Sequence, residues 1–191
     1  MCPQIPKKVI KEIHNTIKYV WEYDISQDYK KKLLLKEDTL KNSLYSHIRT
    51  RLGDLLEKYN IVIYTEFNTD KFINTGFRAD MVIAQINLEK VDKEHLGNCI
   101  KNYISIIEIK FKSDFSNAND IIYDDYKKIK KYIESIDFGE MCHFYMATIW
   151  ECHPNLKWWV DKETKWAKGK LTELNADLNC NEEMEFYISE H

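Results

Sequence analysis

Apolar residues recur every three to four positions along the first third of the chain. Through the middle they alternate or form short unbroken runs. Ile10, Ile13, Ile17 and Val20 predict a helix over about residues 5–22. Leu40, Leu44, Ile48, Leu52 and Leu55 predict a better one over 37–59, with Arg49, Arg51 and Lys58 off its stripe. The period then changes. The β-branched and aromatic run IVIYTEF (61–67) predicts a strand, the turn-rich NTDKFINTG (68–76) follows, and FRADMVIAQI (77–86) predicts a second strand. Polar residues 87–101 predict a loop or short helix. NYISIIEIKFK (102–112) is apolar enough for a central strand. Residues 116–135 predict a helix capped at Ser116 or Asn119, with Ile121, Ile122, Tyr126, Ile129 and Ile133 on one side. MCHFYMATIW (141–150) predicts a fourth strand. KWWVDKETKW (157–166) suggests a hairpin turning at Lys162-Glu163, and MEFYISE (184–190) a last strand.

This order, α-α-β-β-β-α-β with a β-rich tail, predicts an α/β fold: a mixed central sheet flanked by helices. Strands joined by short loops pair antiparallel, and the helix between strands 3 and 4 permits a parallel crossover. At 191 residues the chain fits a single domain. It divides into a helical part (1–59), a core (60–151) and a C-terminal β extension (152–191).

Composition narrows the classes. No apolar run nears the roughly 20 residues that span a bilayer, and MCPQIPKKVIKEIH lacks the apolar segment of a secretory signal. The five cysteines are scattered, without a C-x-x-C pair, so free thiols in a reducing cytoplasm are expected. The net charge of −3 excludes a bulk polycation. Charge is nevertheless uneven: residues 1–59 carry 12 basic against 8 acidic side chains, and residues 60–140 carry 11 against 14. An acidic centre with a basic flank suits a metal site beside a phosphate-binding surface; ordinary surface variation gives the same imbalance.

The sharpest signal lies inside the third strand. Side chains alternate faces along a strand, so Glu108 and Lys110 point one way and Ile107, Ile109 and Phe111 the other. Burying a carboxylate and an ammonium is costly unless they pair or bind a metal. Asp80 begins an apolar run in the second strand. If strands 2 and 3 are neighbours, Asp80 and Glu108 can share a divalent ion, which takes hard oxygen ligands and keeps several waters. Glu66, in the first strand, is a further carboxylate.

Arg78-Ala79-Asp80, a gap of 27 residues and Glu108-Ile109-Lys110 together resemble the PD-(D/E)xK nuclease superfamily. The likeness covers about residues 40–150, although Ala79 stands where the name places proline. It implies a restriction-endonuclease-like αβββαβ core and hydrolysis of phosphodiester bonds. Asp80, Glu108 and the Ile109 carbonyl would hold Mg²⁺ or Mn²⁺, Lys110 would position or deprotonate the attacking water, and Glu66 would hold a second metal or orient water. DNA is the expected nucleic-acid substrate. A homodimer or protein partner is an open expectation, as is a role in defence. The alternative on the same fold is an inactive nucleic-acid- or protein-binding module.

Other residues have two readings each. Arg78 shares a face with Asp80 and either pairs with a carboxylate or touches phosphate. Lys112, Lys127, Lys128, Lys130 and Lys131 would flank a substrate groove or form a solvated face. His47, Arg51 and Glu57 lie on the long helix; some superfamily members place an acidic residue there, but an exposed surface is the simpler reading. Cys142-His143 and Cys152-His153 hold zinc-ligand types, yet neighbouring residues on a strand face opposite ways and the spacing fits no common zinc module. Trp158, Trp159 and Trp166 either stack on bases or pack within the protein.

Overall fold

The computed structural model describes residues 3–68, 78–113, 118–135, 137–154 and 164–191. Helix α1 (Lys7–Tyr19) runs into a π-helical stretch (Val20–Ile25) and a short α2 (Ser26–Lys30), followed by α3 (Glu37–Lys58). Strands β1 (Ile61–Phe67), β2 (Ala79–Ile86) and β3 (Ile100–Lys112) precede α4 (Ala118–Ser135) and β4 (His143–Pro154). Strands β5 (Leu171–Leu178) and β6 (Met184–Glu190) complete the chain. The six strands form one sheet in sequence order. β1, β2 and β3 pair antiparallel; β3, β4 and β5 run parallel; β6 returns antiparallel to β5. The architecture is the expected mixed sheet flanked by helices.

Both faces of the sheet are covered. On one, Ile13, Ile17, Trp21, Leu44 and Ile48 pack against Ile83, Ile107, Ile109, Tyr145 and Leu174. On the other, Ile129 and Tyr132 of α4 pack against Val82, Ile106, Phe144, Met146 and Trp150. The α3 stripe keeps a strict four-residue step through Leu40, Leu44, Ile48, Leu52 and Leu56. Leu56 therefore replaces the expected Leu55, which is only partly buried. The wider π turn brings Val20, Trp21 and Ile25 inward together, and the Trp21 indole N–H donates to the Asn175 carbonyl at 3.0 Å.

Alternation in β3 fixes the site's orientation. With Ile107 and Ile109 wholly buried against α1 and α3, Glu108 and Lys110 face α4. Burial of each isoleucine stabilises the strand by about 2 kcal/mol. That offsets part of the several kcal/mol that desolvating the Glu108 carboxylate costs.

The C-terminal region differs from expectation. Strand β5 was not foreseen, because LTELNADL reads as polar although Thr172, Glu173, Asn175 and Asp177 are buried. The expected hairpin around Lys162-Glu163 falls largely in 155–163, outside the described residues, as do Trp158 and Trp159; Thr164–Ala167 forms a 3-10 turn. Ser116 also lies outside them, and Asn119 is the second residue of α4. No helix among the described residues is long and apolar enough to cross a membrane.

Candidate active site

The β2–β3 ladder ends at the pair Met81–Ile107. One step further along β2, the Asp80 carboxylate takes the place of a backbone acceptor: its Oδ2 receives the Ile109 N–H at 2.8 Å. Asp80 is thereby locked beside Glu108 by the strand that carries Glu108.

Glu108 is wholly buried. Its Oε2 accepts from Lys128 Nζ at 2.6 Å, and the buried Tyr132 hydroxyl faces the same carboxylate, which raises that hydroxyl's pKa after burial. Burial pushes its carboxyl well above the ordinary range. Asp80 and Asp125 add to the rise, and Lys128 only partly opposes it. Lys110 Nζ donates to Glu37 Oε2 at 3.1 Å and lies 3.2 Å from Asp125 Oδ2. Burial works against its charge, but Asp125 and Glu37 outweigh that and raise its pKa above the usual lysine value. These neighbours favour the ammonium form of Lys110. Asp125 is itself pushed up by burial, against the pull of Lys110 and Lys128.

Glu66 enters from the end of β1 with φ +54°, a left-handed conformation that costs a non-glycine residue about 1–2 kcal/mol. The turn aims its carboxylate at Lys41 and at Arg78 Nη2, 2.6 Å away. The bond from Lys41 holds Glu66 below the ordinary carboxylate range. Lys41, nearly buried on the second turn of α3, also feels Asp80. One end of the sheet thus gathers Glu37 and Lys41 from α3, Glu66 from β1, Arg78 and Asp80 at β2, Glu108 and Lys110 from β3, and Asp125 and Lys128 from α4.

Asp80, Glu108, Lys110, Glu66 and Arg78 were expected there, and the structure brings them together. Lys128 was expected to point at substrate; instead its ammonium is turned inward onto Glu108. Lys127 is exposed and paired with Asp124 at 3.2 Å, Lys131 is exposed, and Lys112 ends β3 half-buried. Lys130 lies over the Trp166 ring, 5.8 Å from its centre. Trp166 packs edge-on against Tyr126 of α4. The acidic residue that α3 supplies is Glu37. Glu57 is exposed, and 20 residues of helix set it about 30 Å from Glu37. His47 and Arg51 are tethers: His47 bonds Asp28 at 2.9 Å, and Arg51 grips Asp24 through two bonds of 2.6 and 2.7 Å. Glu37, Lys41 and Asp125 were missed. Their signal was helical spacing, with Glu37 four residues before Lys41 and Asp125 three before Lys128.

A second polar cluster lies at the opposite end of the parallel strands, around a cavity of about 260 Å³ lined by His14, Lys18, His143, Tyr145, Glu190 and His191 among others. His14 Nδ1 and the Tyr145 hydroxyl are 2.8 Å apart, and His143 Nε2 lies 2.8 Å from Thr172 Oγ1. Burial, reinforced by Lys18, pushes His14 down to about 4. Burial, then His14 and Lys18, push His143 down to about 3. Cys142 is buried in the α4-side core, opposite His143; the side chains of Cys152 and His153 lie outside the described residues. Among the described residues, no three His, Cys, Asp or Glu side chains converge as a metal cage.

No protein-family model matches this chain, and neither the curated proteins nor the solved structures contain a significant match.

Proposed function

We propose that the chain is a divalent-metal-dependent nuclease of the PD-(D/E)xK kind, hydrolysing phosphodiester bonds, with DNA as the expected substrate. The observation that carries this reading is the wholly buried Glu108 carboxylate, beside Asp80, whose Oδ2 is held by the Ile109 N–H, and two residues before Lys110. A hard cation takes carboxylate, carbonyl and water oxygens. Two carboxylates and the Ile109 carbonyl suit that demand without a three-residue cage. When bound, such a cation lowers the pKa of a bound water and neutralises phosphate charge. The protein's part is orientation. Asp80 is fixed through the Ile109 N–H, and Lys110 is held as an ammonium between Glu37 and Asp125, where it can steady an anionic phosphate. Lys41 and Arg78 keep Glu66 ionised at the rim.

One observation favours a second reading, an inactive binding module. Glu66, Glu108 and Lys110 each already have oppositely charged partners within the chain, as a structural network would. Cleavage assays separate the two. Purified protein is incubated with single-stranded DNA, duplex DNA and RNA in Mg²⁺, Mn²⁺ or EDTA, beside Glu108→Ala and Lys110→Ala. Metal-dependent cleavage lost in both variants supports the nuclease. Absence of cleavage together with absence of Mn²⁺ binding by the wild type would sink it.

A further inference from the structure

We propose that Lys128 is an internal counter-ion: it holds the cation position of the metal-free site and is displaced when a divalent cation binds Glu108. This rests on the metal-dependent reading above. The Lys128 ammonium sits between two oxygens, Glu108 Oε2 and the Arg78 carbonyl, each at 2.6 Å. A carboxylate from β3 and a carbonyl preceding β2 are the hard donors that a divalent cation seeks. The side chain is 13% exposed against 0% for Glu108, so Lys128 lies nearer solvent than the carboxylate it pairs with.

The burial of Glu108 explains why a cation is held there. A carboxylate at full burial is strongly destabilising unless it is protonated or paired, and Lys128 supplies a pairing cation from within the chain. A lysine can do this because it delivers a compact charge on a flexible stem. An ammonium and a divalent ion cannot both rest on one carboxylate without strong repulsion at such separations. Metal binding is therefore an exchange, in which one cation replaces another on Glu108. The displaced head has somewhere to go. Asp125, three residues earlier on α4, already contributes to its field, and exposed Lys127 and Lys131 show that this helix borders solvent.

The test uses the full-length wild type. Acetylation by an amine-reactive ester is mapped by peptide mass spectrometry with and without saturating Mn²⁺, with exposed Lys127 as internal reference. Calorimetry records Mn²⁺ binding in parallel. The expected result is several-fold faster acetylation of Lys128 when Mn²⁺ is bound, with Lys127 unchanged. In Glu108→Gln, Lys128 should react at a rate that Mn²⁺ no longer alters. Mn²⁺ binding with Lys128 still protected overturns the exchange and leaves the metal site standing. No calorimetric binding to the wild type overturns both. A Mn²⁺-dependent rise that persists in Glu108→Gln overturns Glu108 as the shared partner; the wild-type comparison holds even if that variant does not fold.

Discussion

Acid should destabilise this protein through His14 and His143. Both imidazoles are neutral in the folded state: His14 is pushed down to about 4 and His143 to about 3, chiefly by burial. In the unfolded chain each takes up a proton below its ordinary value of 6.5. Stability rises with pH wherever the unfolded state binds more protons. The contribution of the pair is therefore complete above pH 6.5 and is lost as pH falls toward 4. At about 1.4 kcal/mol for each tenfold change, His14 alone accounts for about 3 kcal/mol. His143 titrates in the unfolded chain over the same interval, so the pair accounts for about 6 kcal/mol, comparable with the whole stability of an ordinary domain. Buried carboxylates with raised values, Glu108, Asp125 and Glu173, respond with the opposite sign. They are common to wild type and variant, so the difference isolates the histidines. Urea denaturation followed by tryptophan fluorescence would compare wild type with the His14→Gln/His143→Gln double variant at about pH 7 and about pH 4.5. The wild type should lose several kcal/mol more than the variant between the two conditions. Parallel losses would refute the assignment of buried, neutral imidazoles.

Other consequences are equally direct. At Glu66, held at φ +54°, Glu66→Gly should leave the protein about 1 kcal/mol more stable than Glu66→Ala, because only glycine relieves the left-handed strain; equal denaturation midpoints would show that the strain is absent. Lys110→Ala should abolish cleavage while Mn²⁺ still binds calorimetrically, since Lys110 is not a ligand in the proposed site; loss of Mn²⁺ binding would reassign it. Arg51→Lys breaks the two-bond grip on partly exposed Asp24 and should cost under about 1 kcal/mol with cleavage unchanged; a large drop in cleavage would place α3's outer face in the site. Trp21→Ala should cost about 3–5 kcal/mol, because a wholly buried indole and its bond to the Asn175 carbonyl are lost together; a cost below about 1 kcal/mol would refute that packing.

Local pattern determined more of this protein than its length would suggest. Two periods, 3.6 and 2, located α1, α3, β1 to β3, α4 and β4 to within a few residues. Alternation in β3 placed Glu108 and Lys110 on one face and Ile107 and Ile109 on the other, because the direction of a strand side chain is a backbone property. What covers each face is a matter of packing, and only the tertiary structure decided it. It set Lys128 and Asp125 of α4 against Glu108 and Lys110, and chose Glu37 over Glu57, since the two ends of α3 are equally helical in sequence but only one reaches the open end of the sheet. Strand β5 escaped for the same reason. Its buried Glu173 accepts from Asn175 and lies 3.4 Å from His191, and Asp177 accepts from Tyr187 of the neighbouring strand β6; a polar residue whose partner sits across a strand pair reads as surface until the two strands pair.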